Sequence, residues 1–372
     1  MVKILINNAS ILTFSTEEKL LIKEGYIFSS EGRVNGVGEG EPPEEFSYPE
    51  LLISGKDRLV LPAFSSAYTI ASLYPLRYVV KDPDLSKNLD YLRKLSRTDM
   101  YFLAAMTMIE MISKGITNAL FIDIYLDEVA RAAHDSGFNV VLAPPINCGL
   151  EEFEPENEFK MLINRWHEKV DEVKVALATC GKPTDEVLET AKAYGLKLFV
   201  LNAPYVDPSE PNVVYINPTN GSGNNVIRWG SQLSMWKPNE GLGIGVRPSY
   251  SMIDVSREVV YKTGKHPIDV IYAATARNPS ILGFKSLGPI ENNYITNILM
   301  FNTSEPPGWP LPTEINSLTK AIVEGELRVE TLIINDEILL DNAETLTLGL
   351  EVISKAKKRL SPIIQEYLRS YS

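Results

Sequence analysis

Short apolar runs alternate with amphipathic segments of helical period between residues 58 and 285 of this 372-residue chain. Such alternation is typical of β-strand–α-helix units on a parallel sheet. We therefore predict an α/β fold with a degenerate (β/α) barrel of the TIM type, and an open doubly wound sheet is the alternative. The seven predicted strands read RLVLPAF, TNALFID, NVVLAPPI, EVKVALAT, KLFVLNA, NVVYINP and GLGIGV. The helices between them include DMYFLAAMTMIEMISKG, LDEVARAAHDSG and PTDEVLETAKAYG.

Both ends of the chain show another pattern, in which short strands are separated by turn residues. Since the opening and closing segments share this character, we predict one small composite β-sandwich domain built from residues 1–57 and 286–342. The barrel, residues 58–285, is inserted between them and is one βα unit short, with that unit lost or reduced to the loop YVDPSEPN. A C-terminal helix within 343–372 is expected to be interrupted or kinked at Pro362.

The composition narrows the choice of partner and compartment. A formal net charge of -12 argues against nucleic acid or an anionic membrane surface as the main partner, because phosphates would be repelled. No apolar run reaches the roughly 18 residues that a membrane-spanning helix needs. Two cysteines cannot build a disulfide framework, and the start of the chain does not look like a signal peptide. We expect a cytoplasmic protein that binds a small molecule.

Five segments, in the same order along the chain, are similar to motifs of one known family. They resemble the cytosine deaminase and chlorohydrolase-like branch of the amidohydrolase superfamily, and the likeness covers nearly the whole chain. The resemblance implies a barrel that binds divalent metal, hydrolyses non-peptide C–N bonds and commonly forms homo-oligomers. The segments are LVLPAFSSAYTIAS, MTMIEMISKGITNALFIDIY, EVARAAHDSGFNVVLAPPI, NPTNGSG and AATARNPSILGFKSLGPIENNYITNILMFN.

The chain departs from the family at the positions of the metal ligands. Tyr68 and Ile70 stand in the places of the His-x-His motif, and LNAP at 201–204 replaces a segment with a further histidine. Ile216 stands where another histidine is expected, and Arg247 where the final aspartate is expected. Isoleucine and leucine have no lone pairs, and a fixed positive charge repels a dication. We therefore expect no metal and no other cofactor.

The three histidines of the chain do not offer a substitute site. His134, His167 and His266 all lie in predicted helices or close to their ends, where solvated or packing roles are expected. Catalytic residues of such barrels come instead from the carboxyl ends of strands.

Polar side chains remain at those strand ends. Asp123 is a candidate general base and Cys180 a candidate thiol nucleophile, the alternatives being a packing or capping carboxylate and an inert cysteine. Arg247 could hold an anionic ligand by charge-assisted hydrogen bonds, the alternative being a structural salt bridge. The Gly-rich loop PTNGSGNN is expected to be a plain connection rather than a phosphate site. The predicted ligand-binding residues are Ser66, Tyr68, Asn202, Asn217, Asn220 and Arg247.

Two functions follow from these observations. The loss of the ligands favours an amidohydrolase-like protein that is non-catalytic and binds a ligand or a partner. The alternative is a metal-independent or divergent hydrolase that acts on a non-peptide C–N bond of a cyclic amide or amidine, such as a nucleobase-like compound. If the chain is an enzyme, it is a hydrolase of C–N bonds.

Overall fold

The computed structural model describes residues 2–206 and 212–371 of the chain. These residues divide into two compact units. Unit 1 comprises Met1–Ser65, Ile112–Thr117 and Ser251–Leu346, and unit 2 comprises Ser66–Met111, Asn118–Tyr250 and Thr347–Ser372. The predicted domain ranges 1–57 with 286–342, 58–285 and 343–372 stay a prediction.

Strands are present along most of the chain and are short in its central part. In chain order they are β1 (Ile4–Leu12), β2 (Leu21–Ser30), β3 (Arg33–Glu39), β4 (Leu51–Ser54), β5 (Arg58–Pro62), β6 (Phe64–Thr69), β7 (Ile116–Phe121), β8 (Asn139–Leu142), β9 (Pro145–Ile146), β10 (Val173–Val175), β11 (Leu177–Cys180), β12 (Leu198–Leu201), β13 (Val213–Ile216), β14 (Val226–Arg228), β15 (Gly241–Leu242), β16 (Asn297–Asn302), β17 (Arg328–Ile334), β18 (Glu337–Asp341) and β19 (Glu344–Thr345).

The α-helices separate the earlier parallel strands and return near the C-terminus. A π-helical turn, Ala273–Arg277, lies between two of them. The helices are α1 (Leu89–Leu92), α2 (Arg97–Ser113), α3 (Leu126–Ser136), α4 (Pro155–Arg165), α5 (Asp185–Ala193), α6 (Met252–Thr263), α7 (Pro267–Tyr272), α8 (Asn278–Leu282), α9 (Ile315–Glu324) and α10 (Leu350–Tyr371).

Unit 1 contains one sheet with strands from both ends of the chain. Its order is β19-β18-β17-β16-β5-β1-β2-β3, with β4 paired to β1. Strands β5 and β16 meet in antiparallel register, with Leu61 opposite Leu299. Alternate apolar residues along β1, such as Ile4 and Ile6, are buried with Val60 in one hydrophobic cluster, because side chains of a strand alternate between two faces.

The parallel strands lie in unit 2, apart from the first two residues of β6 and of β7, which belong to unit 1. They form two sheets, ordered β10-β8-β7-β6 and β15-β14-β13-β12-β11-β9. Only residues 143–144 separate β8 from β9, and residue 176 separates β10 from β11. Within unit 2, an isolated parallel bridge joins Thr69 at the end of β6 to Gly245, just after β15. The chain is thus a mixed α/β protein with parallel sheets, and this order is consistent with a barrel.

When β8–β9 and β10–β11 are each counted as one interrupted strand, the described parallel part holds eight strands, one more than the seven predicted. Strand β14 is only three residues long and follows the Gly-rich loop, so its apolar run VIR is too short to stand out in the sequence. Within the described ranges no α-helix lies between β12 and β15, and a 3-10 helix, Gly230–Met235, is the regular element there. Of the predicted loop YVDPSEPN, residues 207–211 lie outside the described residues.

Helix α10 runs without interruption through Pro362, so the helix does not break at this residue, and the alternative of a kink there stays a prediction. Arg359 of α10 forms an ion pair with buried Asp99 of α2, and Thr347, just before the helix, donates a hydrogen bond to the Ser136 carbonyl at 2.9 Å. In the described part of the chain, no helix is both long and apolar enough to span a membrane.

Candidate active site

A cavity of about 320 Å³ lies in unit 2 at the carboxyl ends of the parallel strands. Seven strand positions each contribute a wall residue at or just beyond the strand end. Ligands of parallel α/β folds bind at this edge of the strands. The loops that meet there can vary in sequence without disturbing the sheet. We therefore take this cavity as the candidate active site. The seven residues are Tyr68, Ile122, Pro145, Cys180, Leu201, Ile216 and Trp229.

The rest of the wall includes a charged loop, residues 82–87. Asp84 accepts hydrogen bonds from the backbone N–H and the hydroxyl of Ser86 at 2.9 and 2.7 Å and so caps a 3-10 turn. Lys87 pairs with Asp82 at 2.5 Å, and this pairing lowers the pKa of the Asp82 carboxyl. One side of the cavity is therefore charged, whereas the strand-end side is mostly apolar.

Tyr68 is the polar group most deeply buried in the wall. Its side chain is 4% exposed, and its ring packs on the Trp229 indole with centroids 4.9 Å apart. Burial raises the pKa of this phenol far above its ordinary value, and the charges of Asp123 and Asp84 raise it further. Within residues 2–206 and 212–371, no hydrogen-bond partner is recorded for the hydroxyl. Tyr68 is therefore a neutral hydrogen-bond donor that a ligand in the cavity can use.

Asn202 lines the cavity at its exposed rim. Its φ of 55° is left-handed, and Asn217 adopts a similar φ of 46°. The backbone N–H of each still reaches the next strand, donating to the carbonyls of Ile216 and Ile227. Asparagine tolerates left-handed backbone better than most residues, so these positions continue the strand pairing and then turn the chain away.

Trp229 is held in the wall by the residues around it. Its backbone N–H donates to the Asn217 side-chain oxygen at 3.0 Å, and its carbonyl accepts from the Asn217 amide at 3.1 Å. The preceding residue, Arg228, is fixed by a two-bond ion pair with Glu240, at 3.1 Å for each bond. The two side chains of that pair are only 3% and 0% exposed. The indole is thus positioned by polar contacts on both sides.

Arg228 was not among the predicted site residues. It also donates to the Gly221 carbonyl at 2.6 Å and to Gln232 at 2.5 Å, so it joins the loops that follow β13 and β14. One feature of the sequence could have indicated Arg228. It directly follows two apolar residues in VIRW, a position that favours a buried, paired arginine over a solvated one. That signal is readable only once β14 is recognised as a strand.

Four of the six predicted ligand-binding residues are not among those that line the cavity. Ser66 donates its hydroxyl to the Tyr68 carbonyl at 2.9 Å and accepts from the Ile244 N–H at 3.2 Å. Asn217 holds Trp229, and Asn220 accepts from the Tyr205 N–H at 3.1 Å. Arg247 is half-buried away from the cavity lining. Tyr68 and Asn202 are the two that the structure brings to the cavity.

Asp123, the predicted general base, is buried outside the main cavity. One carboxylate oxygen accepts the N–H groups of Ala71 and Ser72, both at 2.8 Å, and the other accepts the N–H of Ile124 at 2.9 Å. Burial raises its pKa to about 6, although these N–H groups oppose the shift. Asp123 lines a smaller neighbouring pocket with Tyr125. Its geometry fits the alternative role of a capping carboxylate for the turn after β6.

Cys180 is not the free thiol that was predicted. It forms a disulfide with Cys148, with the two Cα atoms 5.0 Å apart, and both residues line the cavity. A sulfur in a disulfide has no thiolate to act as a nucleophile. Spacing alone does not reveal this bond, because the two residues are 32 positions apart and are brought together by the pairing of β9 with β11.

No protein-family model matches the chain. Among curated proteins, the chain is similar to the 5-methylthioadenosine/S-adenosylhomocysteine deaminase of Syntrophomonas wolfei, with 32% identity over 173 residues, which are 44% of this chain and 39% of the relative. It is also similar to the protein of the same name from Pyrococcus furiosus, with 24% identity over 382 residues, 82% of this chain and 88% of the relative. In three such alignments the chain spans only 39%, 46% and 48% of the relatives' own length.

Solved structures share the fold over nearly the whole chain. An atrazine chlorohydrolase from Arthrobacter aurescens, complexed with zinc, matches with a TM-score of 0.79 at 14% identity, covering 97% of this chain and 100% of the other. An adenosine deaminase from Xanthomonas campestris with bound zinc matches with a TM-score of 0.80 at 14% identity, covering 97% and 98%. Together with the relatives, these structures support the resemblance to the amidohydrolase superfamily.

The comparisons overturn one prediction. The expectation that the chain is a non-catalytic binding homologue is wrong, because the relatives are deaminases and the structural neighbours are a chlorohydrolase and a deaminase. The predicted alternative, a divergent hydrolase of C–N bonds, agrees with them better.

Both of these solved structures hold zinc, so the cavity has to be compared with the needs of that ion. A catalytic zinc takes about three nitrogen, oxygen or sulfur ligands from the protein. Here Tyr68 stays protonated, Asp82 is paired with Lys87, and the two cysteines are joined to each other, so Asp84 is the one carboxylate left in the described cavity lining. Across the described ranges, no three histidine, cysteine or acidic side chains gather in a metal-binding group. These side chains do not supply the ligands that a catalytic zinc needs. The reaction proposed for this cavity therefore uses no metal.

Proposed function

We propose that the chain is a member of the amidohydrolase superfamily whose parallel strands form the family's (β/α) barrel. We propose further that it hydrolyses a non-peptide C–N bond of a planar nitrogen-containing ring, without a metal at the family's histidine positions. The names of the relatives and of the structural neighbours support the reaction class. The observation that carries the proposal is buried Tyr68 at the strand-end cavity. Its ring packs on Trp229, and its hydroxyl is neutral.

The shape and lining of the cavity suit a flat ring. Trp229 offers an aromatic surface, and Ile122 and Ile216 add apolar contacts from the ends of β7 and β13. Small-molecule sites combine such apolar walls with a few well-placed polar groups, and about 320 Å³ lies at the small end of their usual volume. Tyr68 and the Asn202 amide are the polar groups on the strand-end side. The site therefore fits one heterocycle with a modest substituent.

The reaction requires a base for the attacking water and a donor for the ring nitrogen. Of the two carboxylates that line the cavity, Asp82 is paired with Lys87, so we assign Asp84 as the base. It takes a proton from water as the oxygen bonds to the ring carbon. The electron pair moves to the ring nitrogen, where the Tyr68 hydroxyl donates a hydrogen bond. The pair then returns from the ring nitrogen to the carbon and re-forms the C=N bond, the bond to the exocyclic amine breaks, and the amine leaves with the proton held by Asp84.

The test is release of ammonia or amine from a panel of adenosine-, cytosine- and triazine-type compounds by the purified full chain, with chelator and with added zinc. We expect turnover that survives the chelator and falls about 100-fold or more in Asp84→Asn. The matched control is Asp90→Asn, since the Asp90 side chain is 92% exposed and does not line the cavity. No turnover of any compound by the folded protein contradicts the proposal, and turnover that needs zinc contradicts its metal-independent part.

A further inference from the structure

The disulfide Cys148–Cys180 takes no part in the proposed reaction, yet both of its residues line the cavity. Cys180 is the last residue of β11. Cys148 lies two residues beyond β9, the strand that pairs in parallel with β11. Both residues are half-buried rather than sealed in the core. A small thiol entering the cavity can therefore reach the bond.

Cys148 also holds a loop, residues 147–154, that forms part of the cavity wall. Asn147, Gly149 and Glu154 have positive φ values of 56°, 71° and 54°, so the backbone turns sharply several times within this loop. Leu150, 2% exposed, contributes its side chain to the wall. An ion pair from this loop to Arg93 is solvent-exposed and contributes little to its stability. The disulfide is thus a covalent constraint on this loop, in addition to the packing of buried Leu150 and Phe153.

We propose that the Cys148–Cys180 disulfide is a redox-modification site, and that its reduction by a small dithiol releases loop 147–154 and with it the Leu150 part of the cavity wall. A thiolate of the dithiol attacks one sulfur, the S–S bond breaks, and a mixed disulfide forms. The second thiolate of the dithiol then displaces the protein sulfur. Both cysteines end as thiols, and the dithiol is oxidised to its own disulfide.

Two features of the chain favour this assignment. It contains only these two cysteines, so no third thiol can exchange with the pair and the oxidised and reduced forms interconvert cleanly. The pair is also accessible from the cavity, because both cysteines line it and neither is fully buried. The inference needs only the geometry of the cavity wall and does not depend on the proposed hydrolysis.

The experiment is a titration of the native full-length chain with dithiothreitol, with free thiols counted by a chromogenic disulfide reagent. Hydrogen–deuterium exchange is measured on the same samples by mass spectrometry. We expect no free thiol before reduction and both thiols afterwards, without denaturant. Amide exchange in residues 147–154 should become about tenfold faster, while helix α2 is unchanged.

The double variant Cys148→Ser/Cys180→Ser is the matched control. Without reductant it should exchange at the rate of the reduced wild type, and dithiothreitol should have no effect on it. Thiols that appear only in denaturant, or exchange of residues 147–154 that is the same before and after reduction, would overturn the proposal. If the variant does not fold, the wild-type titration alone decides. None of these measurements requires turnover, so failure here is separable from failure of the proposed reaction.

Discussion

The ring of Tyr68 lies against the indole of Trp229, with centroids 4.9 Å apart and planes inclined by 48°. Tyr68 comes from the first parallel strand of unit 2, and Trp229 directly follows β14. The contact therefore forms only when strands distant in the sequence are in place. It gives the cavity an aromatic corner with a free hydroxyl beside it, and the first prediction concerns that hydroxyl.

Tyr68→Phe should separate function from stability. The change removes the hydroxyl and keeps the ring on Trp229, and in the described part of the chain that hydroxyl has no partner to lose. We expect the free energy of unfolding to stay the same or rise by up to about 1 kcal/mol. Turnover in the ammonia-release assay should fall by about 100-fold, as for loss of one donor to a developing charge.

Tyr250→Phe is the matched control for that variant. The Tyr250 hydroxyl is buried and donates to the Ile70 carbonyl at 2.7 Å. Its loss leaves that carbonyl without this donor, so we expect a destabilisation of about 1 to 2 kcal/mol in denaturant unfolding. If both variants lose the same stability and the same activity, the special role of Tyr68 is wrong.

Breaking the buried ion pair between Arg228 and Glu240 should be costly. Arg228→Met leaves the Glu240 carboxylate without its charged partner in a site that is 0% exposed, which we expect to cost about 3 to 5 kcal/mol in denaturant unfolding. The double variant Arg228→Met/Glu240→Met should recover part of that loss, because no unpaired charge remains.

An exposed pair provides the comparison. Arg328 and Glu305 are 3.4 Å apart, with side chains 68% and 66% exposed. Glu305→Gln should therefore leave the unfolding midpoint almost unchanged, since solvent screens such pairs. Equal losses at the buried and exposed pairs would contradict the role assigned to Arg228.

Gly245→Ala should disturb the aromatic corner. Gly245 has a φ of +63°, and a Cβ atom at this position would collide with the ring of Trp229. Gly264 has nearly the same φ, +66°, but nothing lies within 4 Å of its added Cβ. Both alanine variants pay for left-handed backbone, about 1 kcal/mol. Only Gly245→Ala should lose a further 1 to 3 kcal/mol, roughly, and shift the Trp229 contact. Equal thermal melts for the two would refute this.

Asp123 should make stability depend on pH between about 4 and 6. Its folded-state pKa, raised by burial to about 6, exceeds the ordinary value of 3.8. As pH falls from 7, the folded state binds the proton before the unfolded state does, so this residue stabilises the fold increasingly as pH falls to about 4. The full effect is on the order of 3 kcal/mol. The free energy of unfolding is measured for the wild type and for Asp123→Asn at pH 4 to 7, and their difference gives the contribution of Asp123. Parallel pH profiles of the two proteins would contradict the prediction.

Regular periodicity made much of the α/β part of the fold predictable. The segment TNALFID occurs as β7 and the predicted helix LDEVARAAHDSG as α3, whereas most of RLVLPAF forms β5 in the sheet of unit 1 and only its last residue begins β6. These elements are long enough for the apolar pattern to identify them, and a C-terminal glycine also marks the end of the helix. Strand β14 could not be predicted in the same way, because three residues carry no period and the fold alone makes them a strand.

The candidate site was less predictable because it depends on contacts between distant strand ends. Tyr68 and Asn202 are found at the cavity because they stand at strand ends, which the pattern reveals. Asp123 also stands at a strand end, yet its carboxylate accepts hydrogen bonds from the N–H groups of Ala71 and Ser72. No local sequence pattern predicts these contacts. The Cys148–Cys180 bond likewise follows from strand pairing rather than from spacing.

The left-handed asparagines at the strand ends set practical limits for laboratory evolution of this cavity. At Asn217 and Asn202 most other residues would strain the backbone, so randomising those codons would cost most clones about 1 to 2 kcal/mol of stability at each position. The loop 82–87 has no such constraint at its exposed positions, and Asp82 and Lys87 face the cavity from it. A library that varies Asp82 and Lys87, and keeps Asp84 and the two asparagines, should recover altered ligand preference from mostly folded variants.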